Sequence, residues 1–473
     1  MHTYFGRRKI KTDVKEITRE NVCDVLGKAL ATHWANKGEI EYLYDYYKGR
    51  QPILQRVKEV RPEIMNMIVE NRANEIVSFK VGYLMGDPIQ YVSRGDDEVI
   101  TNNINQLNSY MAAEDKAAKD KELADWSHIC GTSFRMVLPD EDAGENPDEA
   151  PFEIYTLDPR YSFVVYHNSL GEPPVMGVMS IEREDTTIYS VYTRDRYFEI
   201  EGTDNILKEE SHVLGGIPII EYPANTARLG AFEVVLPLLD AINNVDSNRL
   251  DGVEQFIQAL LLFHNVDISS DDFTKLRQDG ALKFKDIDST LKGEIKYLVE
   301  EINQQQTQTL VDHLYDTVLT ICGMPNRNGG SSTSDTGTAV IFRDGWSAAE
   351  ARAKDSELTF KQSEKEFLKL TLRICRDLSQ LDLNLSAIEI RFTRRNYENI
   401  SEKANVLTTM LNNNKIAPQL AFQHCGMFVD PEIAYQVSKK YSEEQEAKEL
   451  SQLTQLAGVN GNENENEEVE DDV

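Results

Sequence analysis

Residues 236–263 read LPLLDAINNVDSNRLDGVEQFIQALLLF, and the other predicted elements are arranged around this segment. Its apolar residues recur at mostly three- and four-residue steps, which places them on one stripe of an α-helix. Pro237 suits the first turn, where a missing N–H costs nothing. We therefore predict a helix from Pro237 to Phe263, roughly 40 Å long at ~1.5 Å per residue. A second stripe of this helix contains no apolar residue: Asp240, Asn244, Ser247, Asp251, Glu254 and Gln258.

A second amphipathic helix, predicted at about Glu301–Cys322, returns along the first. Such a helix must bury its apolar stripe and solvate its polar one. Two interpretations are open: a hairpin inside one subunit's bundle, or a pair that packs against copies of itself around a water-filled hole. The apolar side of the second helix comprises Leu310, Val311, Leu314, Val318 and Ile321.

The composition is that of an ordinary globular chain. Its 473 residues allow about two to four domains, with 27% charged and 40% hydrophobic residues. No apolar run is long enough to span a bilayer, and the first residues lack the apolar segment of a secretory signal. We therefore expect synthesis in a cytoplasm-like compartment and no membrane partner. Five scattered cysteines without a C-x-x-C pair predict reduced, buried thiols.

The net charge of −30 restricts the choice of partners. A protein that grips the DNA backbone needs clustered lysine and arginine, and this balance is the opposite. An acidic protein can still surround DNA, because repulsion between like charges prevents adhesion. The plain alternative is that the charge serves solubility.

The first half of the chain predicts helices followed by strands. Residues 1–40 are expected to form an arm with one helix near Arg19–Ala35, and further helices are expected at 66–86 and 97–125. Residues 130–225 alternate in hydrophobicity between turns, so we expect one antiparallel sheet domain there. The predicted strands are Pro88–Val92, Ser133–Leu138, Phe152–Leu157, Ser162–Tyr166, Val175–Glu182, Thr187–Thr193 and Tyr197–Glu201.

After residue 263, the sequence predicts a small insert, a loop and further helices. Strands at Ala281–Lys285 and Glu294–Val299 are expected to be joined by a polar turn. The Gly/Ser run after Pro325 lacks the Lys-Ser/Thr pair of a P-loop and predicts a mobile loop. Residues 347–350 read SAAE, a capping box expected to open a long helix. Thereafter we predict a strand at 388–392, helices at Glu402–Leu411, Pro418–Cys425 and Pro431–Leu450, and a disordered acidic tail at 458–473.

No catalytic constellation is visible. The eight histidines are isolated, with no H-x-x-x-H or H-E-x-x-H spacing. There is no nucleophile elbow, kinase motif set or dinucleotide fingerprint. The missing motifs argue against an ATP-driven reaction and do not exclude other catalysis. We predict neither enzymatic activity nor a cofactor or metal for this chain.

Several stretches, in order, resemble the phage portal proteins, the head-to-tail connectors of long-tailed phages of Gram-positive bacteria. The most specific is IPIIEY at 217–222, followed by LDAIN at 239–243 and DSN at 246–248. The others are YYKGRQPI at 46–53, NMIVEN at 66–71, VGYLMGDPI at 81–89, LDPR at 157–160 and FVDPE at 428–432. Together they cover roughly residues 40–440.

The resemblance implies an α+β, helix-rich fold and a ring, usually of twelve chains, around a tunnel for double-stranded DNA. By analogy, the parts of this chain are an arm (1–40), a wing (41–230 and 346–395), a stem (231–264 and 301–325), a clip (265–300), a tunnel loop (326–345), a crown (396–457) and the tail (458–473).

The resemblance also implies a site and partners. The polar stripe of the first helix would line the tunnel, and Arg327, Asn328, Ser331, Ser332, Thr333 and Ser334 would form the tunnel loop. The clip, with Lys275, Arg277, Lys283 and Lys285, would meet the terminase and a head-tail adaptor. Scaffolding and major capsid proteins are further implied partners. The location would be the virion, with the host cytoplasm during assembly.

Two alternatives stay open: another virion structural or adaptor protein without a DNA tunnel, or a cytoplasmic enzyme without a recognisable motif.

Overall fold

The computed structural model describes residues 6–59, 61–95, 97–140, 149–257, 260–267, 285–286, 294–298, 304–326, 345–379, 381–393, 400–428 and 431–460. These residues form a mixed structure of helices and mainly antiparallel strands, which confirms the α+β class. The described helices are α1 Val22–Tyr47, α2 Arg72–Leu84, α3 Glu98–Ala113, α4 Lys116–Cys130, α5 Leu236–Ile257, α6 Gln304–Cys322, α7 Trp346–Leu378, α8 Ile400–Leu411, α9 Pro418–Cys425 and α10 Pro431–Asn460.

The described strands begin near the N-terminus and end at residue 391. They are β1 Ile10–Thr12, β2 Gln90–Ser93, β3 Thr132–Pro139, β4 Phe152–Leu157, β5 Ser162–His167, β6 Pro174–Glu182, β7 Thr187–Tyr192, β8 Arg196–Glu201, β9 Asn205–Ser211, β10 Ile219–Pro223, β11 Leu260–His264, β12 Val266–Asp267, β13 Lys285–Asp286, β14 Glu294–Leu298 and β15 Ile388–Arg391.

Residues 130–225 form antiparallel strands, as predicted, and these strands are divided between two sheets. The larger sheet has the order β1-β5-β6-β7-β8-β9 and the smaller has the order β10-β3-β4. All pairs are antiparallel except β1 with β5, where Ile10 faces Val165. Strand β1 comes from the predicted arm, and α1 runs seven residues past that arm's boundary to Tyr47. Both β1 and β9 escaped prediction because each is short or mostly exposed and lacks a clear alternating pattern.

Three apolar cores hold the elements together. One lies between α3, α7 and the smaller sheet, and a second lies between α1 and the larger sheet. The third joins α1, α2, α4, α5 and α6, so the long helix pair packs directly on the helices of the first half. Phe367 of α7, fully buried in the first core, typifies the side chains that fix this packing.

A buried ionic cluster ties α7 to the smaller sheet. Glu364 of α7 accepts hydrogen bonds from Tyr222 (2.7 Å) and from Arg135 (3.2 Å), and Lys116 approaches it at 2.8 Å. Arg135 also pairs with Asp120. The four charges sum to zero, and Arg135 and Glu364 have no exposed side-chain surface. Such a cluster is tolerated because each charge has partners in the low-dielectric interior.

The tip of the helix pair differs from the prediction. Helix α5 ends at Ile257, and Leu260–His264 forms strand β11 instead of continuing the helix. Its partner is β14, with Leu260 opposite Leu298. Strand β13 pairs with β12, and residues 281–284 of the predicted 281–285 strand lie outside the described residues. The apolar run at 260–263 fits either structure locally, and the long-range partner decides in favour of the strand.

Four other boundaries also differ. Helix α2 begins at residue 72 instead of 66, and the predicted 97–125 helix breaks at Glu114–Asp115 into α3 and α4. Helix α7 is preceded by Gly345 with φ of +84° and no side-chain cap, so the predicted capping box at 347–350 is wrong. Helix α10 continues to Asn460, three residues into the predicted tail. The five cysteines are free thiols, four of them buried, as predicted.

Candidate functional site: the helix pair and its strap

The apolar stripes of the helix pair are buried along only part of their length. Leu239 and Ile242 of α5 are buried, as are Val311 and Val318 of α6, which confirms those stripes at these turns. By contrast, Val253 of α5 is 40% exposed and Leu310 of α6 is 47% exposed. Leu250 and Ile321 are likewise exposed. A single chain therefore leaves apolar surface on its longest helical hairpin.

A polar ladder holds an extended segment against α5. We call residues 61–71 the strap. The side chains of Asn243, Ser247 and Asp251 accept hydrogen bonds from backbone N–H groups of the strap. The distances are 2.8 Å from Glu70, 3.0 Å from Ile68 and 2.7 Å from Asn66. Four helical residues rise ~6 Å, close to the ~6.6 Å of two extended residues, so the two spacings match.

The ladder supplies acceptors for three backbone donors of the strap in partly buried positions. A buried, unpaired N–H costs about 1–3 kcal/mol, so each acceptor on α5 contributes to the fold. The adjoining Gln51 Oε1 accepts from the side-chain amide of Asn243 at 2.5 Å, so both ends of that amide are used. The strap thus pairs with helical side chains as a strand would pair with a neighbour.

The predicted solvation of the polar stripe is therefore wrong at two positions. Ser247 has no exposed surface and Asp251 is 3% exposed. Asp251 lies 3.1 Å from both Lys58 and Arg56. Burial alone would raise the pKa of Asp251, but hydrogen bonds from Asn66 and Lys58 outweigh it and lower the pKa. At Asp240, the Tyr46 hydroxyl donates at 2.9 Å, and burial raises the pKa of that carboxyl.

The other predicted site residues are dispersed. Asn244 is exposed, and its side chain donates to the carbonyl of Asp240 at 2.9 Å. Glu254 is partly exposed. Lys285 is described only as part of the backbone of β13. Gln258, the tunnel-loop residues 327–334, and Lys275, Arg277 and Lys283 lie outside the described residues.

Asn243 is the contact that the sequence analysis missed. The predicted polar stripe contained Asn244, whereas the neighbouring residue Asn243 makes the hydrogen bond to the strap. A usable signal exists in the sequence: short hydrogen-bond acceptors recur on the first helix at four-residue steps, at Asn243, Ser247 and Asp251.

A carboxylate pair lies beside the ladder. Burial raises the pKa of Asp246 on α5 to about 6, and the nearby Glu70 of the strap adds to this effect, while Arg249 and Arg72 oppose it. Glu70 pairs with Arg72 at 2.9 Å, and Arg249 donates to Gln308 of α6 at 2.6 Å. The strap, α5 and α6 therefore meet in a charged cluster rather than in a purely apolar seam.

The described part of the chain shows neither a metal site nor a membrane span. Among those residues, no group of three or more His, Cys, Asp or Glu side chains is arranged to hold an ion. None of the helices found there has both the length and the apolar character needed to cross a bilayer.

Comparison with protein families identifies the chain. Residues 26–450 match the family model described as "Phage portal protein, SPP1 Gp6-like". The chain belongs to this portal family. A comparison with curated proteins gives no match. Among solved structures, the portal chain is similar to the one described as "Neck of empty GTA particle computed with C6 symmetry". The identity is 10%, with 75% of this chain and 90% of that chain covered and a TM-score of 0.42.

Membership of the portal family confirms the resemblance predicted from the sequence. It makes the chain a structural component of a phage head, with the capsid vertex as its location. The alternative of a cytoplasmic enzyme finds no support in such a family. The helix pair, the strand pair β11–β14 at its tip and the strap are thus elements of a portal subunit.

Proposed function

We propose that this portal protein assembles as a ring at one capsid vertex and conducts double-stranded DNA during packaging and ejection. The observation that carries the proposal is the family match over residues 26–450. The helix pair adds physical support, because it exposes Leu250, Val253, Leu310 and Ile321 in the single chain. Neighbouring copies in a ring would cover this apolar surface, and twelve copies is the number we propose.

The tunnel wall would be polar and acidic. Helix α6 exposes Asp312 and Asp316, one turn apart, with Thr309 and Thr320 on the same stripe. On α5, Asn244 and Glu254 retain exposure. We propose that these side chains and Gln258 face the DNA, whereas Ser247 and Asp251 hold the strap. Carboxylates repeated around a ring repel the phosphate backbone, so the duplex slides without adhering.

The remaining contacts follow from the order of the segments. The clip at 265–300 would dock the terminase, whose ATPase supplies the force, and later the head-tail adaptor. Its cations Lys275, Arg277, Lys283 and Lys285 would meet acidic partner surfaces. The tunnel loop at 326–345 would contact the DNA, and scaffolding and major capsid proteins would surround the ring.

Electron microscopy and native mass spectrometry of the purified protein test the ring. We expect closed rings for the natural chain. A Val253→Glu/Leu310→Glu variant should lose them, because it places charges in the apolar surface between copies. Leu170→Glu is the matched control, since Leu170 is fully exposed in a turn outside the helix pair. A natural chain that stays monomeric, alone and in assembling heads, contradicts the proposal.

A further inference from the structure

A groove of about 490 Å³ separates α7 from the face of β5 and β10. This volume falls in the range of pockets that hold peptide-sized or drug-sized ligands. Its floor contains Ile219, Ile220 and Leu370, all buried. One wall is a single stripe of α7 that includes Gln362, Glu366, Lys369 and Arg373. The groove thus combines an apolar floor with a charged rim.

Two glycines allow the close approach that closes one end of the groove. Gly215 has φ of +60°, and a Cβ at this position would lie 2.2 Å from the Arg373 guanidinium. At Gly216 a Cβ would lie 2.6 Å from Leu370. Arg373 donates to the carbonyl of Leu214 in this turn. The guanidinium is therefore held at the groove by the backbone around it.

The groove carries more positive than negative charge, against the balance of the whole chain. Five cations line it, Lys9, Arg194, Arg228, Lys369 and Arg373, and three carboxylates, Glu172, Glu221 and Glu366. The chain as a whole carries −30. Such a cationic concavity on an acidic protein favours an anionic ligand.

Each groove carboxylate is already neutralised. Glu221 accepts from Arg228 at 2.6 Å, Glu172 pairs with Lys9 at 2.7 Å, and Glu366 pairs with Lys369 at 2.6 Å. Within the described part of the chain, neither Arg194 nor Arg373 has an ion pair with a carboxylate. The guanidinium groups of Arg194 and Arg373 can therefore bind carboxylates of a ligand. A guanidinium donates two parallel hydrogen bonds to one carboxylate.

We propose that this groove binds the acidic segment 461–473 of a second copy of this chain. That segment, GNENENEEVEDDV, has seven carboxylates and two valines, which complement the cationic rim and the apolar floor. Thirteen extended residues reach about 43 Å beyond the end of α10. The inference rests on the proposed function only in requiring that copies lie side by side.

Fluorescence anisotropy of a labelled 461–473 peptide with the full chain tests the site without requiring a ring. We expect saturable binding that weakens as ionic strength rises from about 0.05 M to about 0.5 M. An Arg194→Glu/Lys369→Glu variant should bind about tenfold more weakly or worse. The control Lys28→Glu/Lys354→Glu changes the charge equally at exposed positions outside the groove and should bind normally.

Three results would overturn the proposal: no binding, equal binding to the groove variant, or equal binding of a peptide with Gln and Asn in place of Glu and Asp. The copy that supplies the segment is tested separately by a Gln362→Cys/Asp472→Cys variant. Disulfide-linked dimers on non-reducing gels, absent from either single variant, support a second copy. A cross-link within one chain contradicts it, whatever the state of the ring.

Discussion

Several charged side chains of this portal protein are buried, and each is stabilised by a neighbouring side chain of opposite charge. Four side chains form a neutral cluster whose two central groups, Arg135 and Glu364, have no exposed surface; the other two are Asp120 and Lys116. Burial alone would raise the pKa of Glu364, yet Lys116 and Arg135 lower it to about 2. The Glu364 carboxyl is therefore ionised at neutral pH, and the members of the cluster depend on one another.

Arg135→Met should lower the free energy of unfolding by roughly 3–5 kcal/mol, because it leaves buried carboxylates without their main partner. Chemical denaturation at neutral pH measures the change. Lys28→Met removes a pair in which both side chains are more than half exposed and should cost at most about 1 kcal/mol. Similar losses for both variants would contradict the buried-cluster account.

Two buried histidines should make the fold sensitive to acid. Burial lowers the pKa of His33 and of His128 to about 4, below the ~6.5 of an unfolded chain. Their neutral forms stabilise the fold fully above pH ~6.5, and this stability is lost as the pH falls toward 4, by about 3 kcal/mol for each histidine.

Denaturation at a series of pH values checks this expectation. His33→Gln should flatten the loss of stability between pH ~6.5 and ~4, because one of the two titrating groups is removed. The exposed His424 provides the control, and His424→Gln should leave the slope as it is in the natural chain. An unchanged slope in the His33 variant would show that burial does not perturb that ring.

At the scale of elements, α5 and the strap depend on each other. Among the described residues the strap pairs with no strand, and three of its amides donate to side chains of α5. This explains why α2 begins at residue 72 rather than at 66: the preceding residues are held extended by α5. The helical preference of 66–71 is outweighed by the long-range ladder.

Neighbouring asparagines offer a matched test of the ladder. Asn243→Ala should lower stability by about 1–3 kcal/mol and speed hydrogen exchange at the Glu70 amide, because that donor loses its acceptor. Asn244→Ala, one residue away and exposed, should leave the Glu70 amide protected. Exchange mass spectrometry of peptides covering 61–71 reads out both variants, and equal exchange in the two would exclude the ladder as the cause of protection.

At the scale of the whole molecule, acidic charge and exposed apolar surface occur on the same helix pair. In the proposed ring, the apolar positions meet neighbouring copies and the acidic positions face the DNA. Leu310 of α6 is exposed in a single chain because, in the proposed ring, a neighbouring copy would cover it. The acidic face can be altered without touching the ladder, since Asp312 and Asp316 lie on α6.

Asp312→Lys/Asp316→Lys should leave ring formation intact and reduce DNA packaging, because cations around the tunnel would retain the phosphate backbone. Packaging is measured as DNA protected from nuclease in assembled heads. As a control, Asp24→Lys makes the same kind of change at an exposed position on α1. Normal packaging in the α6 variant would show that this stripe does not line the tunnel.

Local periodicity was enough to predict many of the secondary-structure elements. The strands β3 to β8, the two long helices and the helices α8 and α9 follow from alternation, helical steps and turn residues over short stretches. The portal resemblance likewise depended on the order of short stretches such as 217–222, and the family match confirmed it. The free, mostly buried cysteines followed from their count and spacing.

Features that depend on contacts between residues distant in sequence became visible only in the folded chain. Leu260–His264 is a strand because Glu294–Leu298 lies beside it. Residues 130–225 divide into two sheets because β3 pairs with β4 and β10, whereas β5 pairs with β1 and β6. Ser247 and Asp251 look solvated in the sequence, yet the strap covers them. The physical reason is the same in all three cases. A backbone donor or polar side chain forms its hydrogen bond with a group that folding brings close to it, and the periodicity of a segment does not identify that distant group.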